Sequence, residues 1–176
     1  MRLKDKVAIV TGAGHGIGRA IADRFAMEGA SVIAGEIDAA SGREIVDLIR
    51  SRNGTAHLCE CDVAQEDQVW SMVSSALETF GRVDVLINNA ICSTDAVHSN
   101  SWLVVDVALK GAWHCIQAVL PSMVEQAAGS VVNVSSVNAL MGFGPEHLYT
   151  AAKGALLSLT RSLAVEYGKH NIRFNA

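Results

Sequence analysis

The feature that most constrains the fold is the alternation of short apolar segments with amphipathic helical patterns along the whole chain. The apolar segments are rich in β-branched residues and read KVAIVTG, ASVIAGE, AHLCECDV, VDVLINNA, GSVVNVSS and NIRFNA. Helical periodicity lies between them, at residues 16–28, 40–52, 66–80, 101–126 and 149–168. Segments that are apolar on both faces are typical of buried parallel strands. Strict alternation with short connections therefore predicts an α/β fold, a doubly wound parallel sheet covered by helices on both faces in three α/β/α layers.

Length and composition favour one domain, residues 1–176, without an internal linker or a sequence repeat beyond the β-α unit. The net charge of −4 gives no general attraction for nucleic acid or anionic membrane, and no apolar run approaches the roughly 20 residues of a membrane span. Four cysteines occur without metal-site spacing. We therefore expect a cytoplasmic protein with reduced cysteines, no metal, and neither nucleic acid nor membrane as a partner.

The C-terminal end of the sequence is abnormal for a complete domain. The chain stops at Ala176, inside or just after an apolar strand, with no cap, turn or polar tail. An exposed parallel edge strand invites aggregation unless another segment covers it. We expect the sequence to belong to a longer chain.

Three glycines, Gly12, Gly16 and Gly18, lie between the first predicted strand and the first predicted helix. Glycines at such a junction let the backbone turn sharply and let a pyrophosphate approach the helix N-terminus, where N–H groups and the helix dipole favour negative charge. The spacing is G-x-x-x-G-x-G, and no Lys-Ser/Thr pair follows Gly18, which excludes a Walker loop. The junction predicts a dinucleotide site.

Glu36 ends the second predicted strand and bears on the choice of dinucleotide. A carboxylate there accepts hydrogen bonds from both hydroxyls of an adenosine ribose and repels the 2′-phosphate of NADP. His15 offers that phosphate no strong fixed cation. Taken alone, Glu36 is also compatible with a solvated strand end. Beside the glycine loop, it predicts NAD rather than NADP.

The last predicted helix carries a phenol and an ammonium one turn apart, in the stretch LYTAAKGALLSL. Tyr149 and Lys153 lie on the same helix face. A phenol ordinarily titrates near 10, and a neighbouring cation favours the phenolate, the form that can accept a proton at neutral pH. Lowering the pKa by about three units takes roughly 4 kcal/mol. The alternative is a core tyrosine with a lysine whose stem extends to solvent.

These segments together resemble the short-chain dehydrogenase/reductase family, in family order and spacing over essentially the whole chain. The matching segments are TGAGHGIG, CDV at 61–63, NNA at 88–90, VNVSS ending at Ser136, and YTAAK at 149–153. The resemblance implies a Rossmann-type fold and hydride transfer between NAD(H) and a secondary alcohol or ketone. It also implies that Ser136 binds the substrate oxygen, that Tyr149 moves the proton, and that Lys153 tunes Tyr149 and binds the nicotinamide ribose.

The resemblance implies further cofactor contacts. Asp62 corresponds to an acid that accepts from the adenine amino group, with Val63 against the ring, and Asn88, Asn89 and Ala90 correspond to a strand end behind the adenine ribose. Taken alone, both asparagines could equally be satisfied turn residues. The expected cofactor-binding residues are Gly12, His15, Gly16, Ile17, Gly18, Glu36, Asp62, Val63, Asn88, Asn89, Ala90, Tyr149 and Lys153.

The sequence departs from the family pattern at three points. Ile91 stands where the family usually has Gly, and Ala108 stands where it has an Asn that holds a proton-relay water. The family continues into a substrate lid and a seventh strand that are missing here, so the substrate is not predicted. The alternative function is therefore a nucleotide-binding module with little or no turnover. A structural protein without a ligand would require all the motifs to be coincidental. Helices 101–126 and 149–168 pack across a dimer interface in related enzymes, which implies a homodimer or homotetramer, although an apolar helix face also suits a core.

Overall fold

The computed structural model describes residues 1–142 and 144–176. In these residues, strands and helices alternate as the sequence predicts. The strands are β1 Val7–Thr11, β2 Ser31–Glu36, β3 Thr55–Glu60, β4 Val85–Asn88, β5 Gly129–Asn133 and β6 Ile172–Asn175. The α-helices are α1 Gly16–Met27, α2 Ala39–Ser51, α3 Glu66–Phe80, α4 Thr94–His98, α5 Leu103–Val105, α6 Ala112–Glu125 and α7 His147–Tyr167.

The six strands form one parallel sheet in the order β3-β2-β1-β4-β5-β6. The chain runs outward from β1 to β3 and then returns to place β4 on the other side of β1. The connections after β1 and β4 therefore leave in opposite directions, which opens a crevice at the carboxyl ends of these two strands. The predicted Rossmann-type fold is confirmed, and the crevice is the place where such sheets bind ligands.

Two apolar layers cover the faces of the sheet. Ile9 of β1 packs with residues of α3, α6 and α7, while its neighbours Ala8 and Val10 pack with residues of α1 and α2. Successive side chains of a strand point to opposite faces, so both faces of β1 are apolar because both are covered. This packing explains the continuous apolar runs in the sequence.

The expectation that the third apolar segment is buried on both faces is wrong. β3 is an edge strand, and only Ala56 among its six residues is fully buried. Ala56 and Leu58 pack in the layer of α1 and α2, and Cys59 packs in the opposite layer. The segment is apolar because both of its faces are partly covered.

The predicted helix at 101–126 is more complex than its periodicity indicates. α5, a π-helical turn at Asp106–Gly111 and α6 form one continuous helix, Leu103–Glu125, of 23 residues. By length and composition this helix could cross a membrane, contrary to the expectation from the sequence. More than half of its most apolar part is buried inside the domain. Packing against the sheet therefore accounts for its apolar character.

Candidate active site

The glycine loop forms a tight turn between β1 and α1. Gly12 and Gly16 have φ angles of +64° and +51°, a region that residues with a Cβ rarely adopt. A Cβ atom on Gly18 would collide with the carbonyl oxygen of Gly12, whereas no atom lies within 4 Å of one on Gly16. His15 precedes α1 without making a side-chain hydrogen bond to it, and both His15 and Ile17 are exposed. The turn thus leaves space, and N–H groups without a side-chain cap, at the start of α1.

Glu36 is buried at the end of β2 and is not a solvated strand end. Its Oε2 accepts a hydrogen bond from the N–H of Gly14 at 2.8 Å, and its Oε1 accepts from the N–H of Ile37 at 2.9 Å. A Cβ on Gly14 would lie 2.8 Å from the Cβ of Ser41 and 2.9 Å from Glu36 Oε2. Glu36 therefore anchors the glycine loop, and Gly14 belongs to the site although the motif spacing did not single it out.

Thr11 and Asn89 tie the glycine loop to the end of β4. The hydroxyl of Thr11 accepts hydrogen bonds from the N–H groups of Asn89 and Ala90 at 3.0 and 3.1 Å. The side-chain amide of Asn89 donates to the carbonyl oxygens of Thr11 and Gly12 at 3.0 and 3.2 Å. Asn89 thus braces the glycine loop against the end of β4. Thr11 has no signal in the sequence beyond its place at a strand end.

A first cavity of about 290 Å³ opens at the carboxyl ends of β1 and β4. The structure brings together on its walls five of the residues that the resemblance assigns to the cofactor. These residues are Gly12, Glu36, Asp62, Val63 and Ala90. Ile91, Cys92 and Leu103 are among the other lining residues.

The position of Asp62 and Val63 on this cavity is fixed by local contacts. Asp62 Oδ1 accepts from the N–H of Ala64 at 3.0 Å, which holds the carboxylate in a turn at the cavity wall. Val63 is buried, and its carbonyl oxygen lies 3.1 Å from His114 Nδ1 on α6. α6 therefore holds the segment that forms this wall.

Asn88 and Asn133 form a buried polar connection rather than a cavity wall. Asn88 Nδ2 donates to Asn133 Oδ1 at 2.8 Å, and Asn133 Nδ2 donates to the hydroxyl of Thr160 on α7 at 2.9 Å. All three residues are buried. Asn88 Oδ1 has no hydrogen-bond partner among the described residues. Asn88 therefore links β4 through β5 to α7, the helix that carries Tyr149.

A second cavity of about 310 Å³ contains Ser136 and Tyr149 on its walls. Ile91 and Cys92 line both cavities, so the two spaces meet at these residues. Ser136 lies before a 3₁₀ turn at Val137–Ala139, and its Oγ accepts from the N–H of Asn138 at 3.2 Å. The predicted catalytic residues thus adjoin the predicted cofactor residues.

Lys153, one turn after Tyr149 on α7, is buried and does not extend to solvent. Its Nζ lies 5.8 Å from the centroid of the Tyr149 ring and donates to the carbonyl oxygen of Val134 at 2.6 Å. Burial lowers the pKa of Lys153 to about 8, while Cys92 acts in the opposite direction. The ammonium form therefore still predominates at neutral pH. Ser135 donates to the carbonyl oxygen of Lys153 at 2.9 Å, which fastens the Ser136 segment to α7.

Ala108 lies inside the π-helical turn and is buried. Its methyl group makes no hydrogen bond, so this residue does not supply the amide that the resemblance implies at this position.

The four cysteines form no disulfide. In the part of the chain that the structure describes, no group of three or more His, Cys, Asp or Glu residues is arranged to bind a metal ion. Burial raises the pKa of Cys61 to about 12, which disfavours the thiolate that a metal needs.

Comparison with known proteins agrees with this geometry. A sequence model of the family described as short chain dehydrogenase matches residues 6–176. A 3-oxoacyl-acyl-carrier-protein reductase of Thermotoga maritima is 38% identical, with 100% of this chain and 74% of the relative aligned.

Two solved structures show the same fold. The NAD⁺-bound xylitol dehydrogenase superposes with a TM-score of 0.93 at 31% identity, over 100% of this chain and 70% of that one. The carveol dehydrogenase of Mycobacterium avium in complex with NAD gives a TM-score of 0.91 at 32% identity, over 99% and 70% of the two chains. The chain belongs to the short chain dehydrogenase family, whose members are oxidoreductases.

Proposed function

We propose that this protein transfers hydride between NAD(H) and a secondary alcohol or ketone, with Tyr149 as the acid/base. The observation that carries the proposal is the meeting of two cavities. One has Glu36 and Gly12 of the glycine loop on its walls, and the other has Ser136 and Tyr149, with buried Lys153 beside the ring. A dinucleotide that spans both would bring its nicotinamide to the catalytic set.

The described residues fit a dinucleotide. The space at Gly16 and the uncapped start of α1 suit a pyrophosphate, Glu36 suits a ribose, and Asp62 with Val63 suits adenine. When bound, the nicotinamide supplies the hydride acceptor or donor.

The chain's own residues supply proton transfer and orientation. Ser136 donates a hydrogen bond to the substrate oxygen and stabilises the charge that develops there. Tyr149 accepts the hydroxyl proton when an alcohol is oxidised and returns it when a ketone is reduced. The Lys153 ammonium favours the phenolate and also donates to the nicotinamide ribose. Its low solvent exposure strengthens the first effect because buried charges are poorly screened.

NAD is favoured over NADP by the charge at the first cavity. Glu36 would repel a 2′-phosphate. Arg19, the basic residue next to the loop, is engaged by the carbonyl oxygen of Gly14 and by Glu44, each at 3.3 Å. The two solved structures described above also bind NAD. Turnover, rather than nucleotide binding alone, is supported by relatives that carry the names of reductases and dehydrogenases.

The test is the formation of NADH from NAD⁺ with a panel of secondary alcohols, followed by absorbance, for the wild type and for Tyr149→Phe. We expect turnover that falls by at least about 100-fold in Tyr149→Phe, since a positioned acid/base contributes 10²–10⁴. The matched control is Tyr167→Phe, at the end of the same helix, where the ring packs near Phe174. Cofactor binding without turnover, unchanged in Tyr149→Phe, would support the nucleotide-binding module instead.

We also propose that the protein acts in the cytoplasm as a homodimer or homotetramer. Trp102, Leu103 and Trp113 are partly or largely exposed along the helix that related enzymes use for self-association. Light scattering during size-exclusion chromatography tests the oligomer. A monomer at micromolar concentration would contradict it.

A further inference from the structure

The second cavity has polar groups beyond the catalytic set. His98, Asn138 and Glu146 all line it, and Glu146 contacts the other two; we call these three residues the polar wall. Glu146 Oε2 accepts a hydrogen bond from Asn138 Nδ2 at 2.8 Å, and Glu146 Oε1 lies 3.4 Å from His98 Nε2. The three residues come from separate segments of the chain, so the fold rather than local sequence assembles the wall.

The polar wall is coupled to both residues that would contact the reacting oxygen. Asn138 donates its backbone N–H to Ser136 Oγ, and Glu146 immediately precedes the helix that carries Tyr149. Asn100 fixes this helix start, because its side chain donates to the carbonyl oxygen of Pro145 at 2.6 Å and accepts from the N–H of Leu148 at 3.1 Å. The part of a substrate next to its reacting carbon would therefore face the polar wall, whose groups the fold holds in fixed positions.

The carboxylate of Glu146 is at the centre of the wall, and neither of its two partners carries a permanent charge. Its side chain is 21% exposed, and its partners are one neutral amide and one imidazole that carries charge only when protonated. Among the described residues, Glu146 forms no ion pair with a lysine or an arginine. A partly buried carboxylate with spare acceptor capacity favours a ligand that donates hydrogen bonds.

We propose that the polar wall selects a substrate with a second hydroxyl next to the reacting carbinol, a vicinal diol or polyol, whose hydroxyl donates to Glu146. This inference rests on the proposed function. A hydroxyl both donates and accepts, so it can give its hydrogen to Glu146 while it receives one from Asn138. A simple apolar alcohol would displace water from the wall without replacing its hydrogen bonds.

A substrate amine is the main competing donor, and the wall disfavours it. An ammonium would interact with Glu146, but it would also face His98 at the same carboxylate, and a protonated imidazole there repels it. An ammonium also has no acceptor for the amide of Asn138. The diol is therefore the better match to all three groups.

The test compares three alcohols of the same carbon skeleton, isopropanol, propylene glycol and isopropanolamine, as substrates with NAD⁺. For the wild type we expect kcat/KM for propylene glycol to exceed that for isopropanol by about tenfold or more, as for a site built to bind a hydroxyl. Glu146→Leu should bring this ratio close to one. Glu146→Gln should keep part of it, because its amide oxygen still accepts. The control Glu125→Leu changes an exposed residue at the end of α6 and should leave the ratio unchanged.

Thermal unfolding and NADH binding show that each variant is folded, so the substrate ratio alone decides. Equal kcat/KM for glycol and isopropanol in the wild type, a ratio that survives in Glu146→Leu, or a preference for isopropanolamine would each overturn the diol inference while turnover still supports the proposed function. If no secondary alcohol of any kind yields NADH, the proposed function fails, and this inference fails with it.

Discussion

At the scale of single residues, Glu36 combines a role that the sequence predicts with one that it does not. Its position after β2 indicates an acceptor for a ribose, and the structure places it on the first cavity. Its hydrogen bond to the N–H of Gly14 joins residues that are 22 positions apart in the chain, and the spacing of the glycine motif does not predict this contact. Tyr149 and Lys153 are the opposite case, because helical spacing alone predicts their shared face. The burial of Lys153 depends on packing and was not predicted.

We expect Glu36→Ala to weaken NADH binding by roughly tenfold or more, since a hydrogen bond to a charged group contributes about 1.5–3 kcal/mol. Binding of NADPH should weaken less or improve, because the charge that repels its 2′-phosphate is lost. Fluorescence titration with both cofactors measures the change in discrimination. Glu78→Ala removes an exposed carboxylate on α3, away from the first cavity, and serves as the control. An equal loss for both cofactors would show that Glu36 acts only through the loop.

Lys153 predicts a distinctive pH dependence of stability. The pKa of Lys153 is about 8 in the folded protein, below the usual value of 10.5 that it has in the unfolded chain. Between these two pH values the unfolded chain therefore binds more protons than the folded one. The contribution of Lys153 to the free energy of unfolding rises with pH across this window, by up to about 3 kcal/mol. Buried thiols with raised pKa values, such as Cys61, act in the opposite direction, so the wild type is compared with Lys153→Met.

Urea unfolding of both proteins at the two ends of the window supplies the measurement. The difference in the free energy of unfolding between wild type and Lys153→Met should shift in favour of the wild type as pH rises. A difference that is independent of pH would mean that the ammonium keeps its usual pKa in the folded state.

At the scale of elements, strands and long helices were predictable because their period is a property of the sequence. α4 and the π-helical turn were not, since neither is long enough to display a period. The chain of hydrogen bonds Asn88–Asn133–Thr160 also escaped prediction. It joins two strands to α7 through side chains that are 45 and 27 residues apart. Asn88 and Asn133 lie in two of the segments that match the family, but no sequence pattern pairs them, and only the register of β4 with β5 sets them side by side.

Asn133 is the central member of this chain, and its removal takes one hydrogen-bond partner from each of two buried side chains, Asn88 and Thr160. We therefore expect Asn133→Ala to lower the free energy of unfolding by about 2–4 kcal/mol. Asn175→Ala, at an exposed position in β6, should change it by less than about 0.5 kcal/mol. Urea denaturation of the three proteins tests this. A loss as small as that of the control would mean that water replaces the Asn133 side chain.

At the scale of the whole molecule, the order of the strands determines where the candidate site lies. The alternation in the sequence predicts parallel strands and helices on both faces, and the reversal between β1 and β4 then opens the crevice. The sequence does not predict how the two cavities meet, because their junction depends on the path of the chain after β4. Ile91 stands at that junction, is 45% exposed and lines both cavities.

A cofactor that reaches from Glu36 to Tyr149 must pass Ile91, so the side chain at this position should limit its binding. We expect Ile91→Gly to tighten NADH binding severalfold, and Ile91→Ala to have an intermediate effect. For Ile91→Gly to bind more tightly, the gain in binding free energy must exceed the backbone entropy cost of glycine, about 0.5–1 kcal/mol. Calorimetric titration of the three proteins gives the affinities. If affinity for NADH is highest with Ile at position 91, lower with Ala and lowest with Gly, then the Ile91 side chain packs against the cofactor instead of narrowing its path. Ile91 would then contribute to cofactor binding at the point where the two cavities meet.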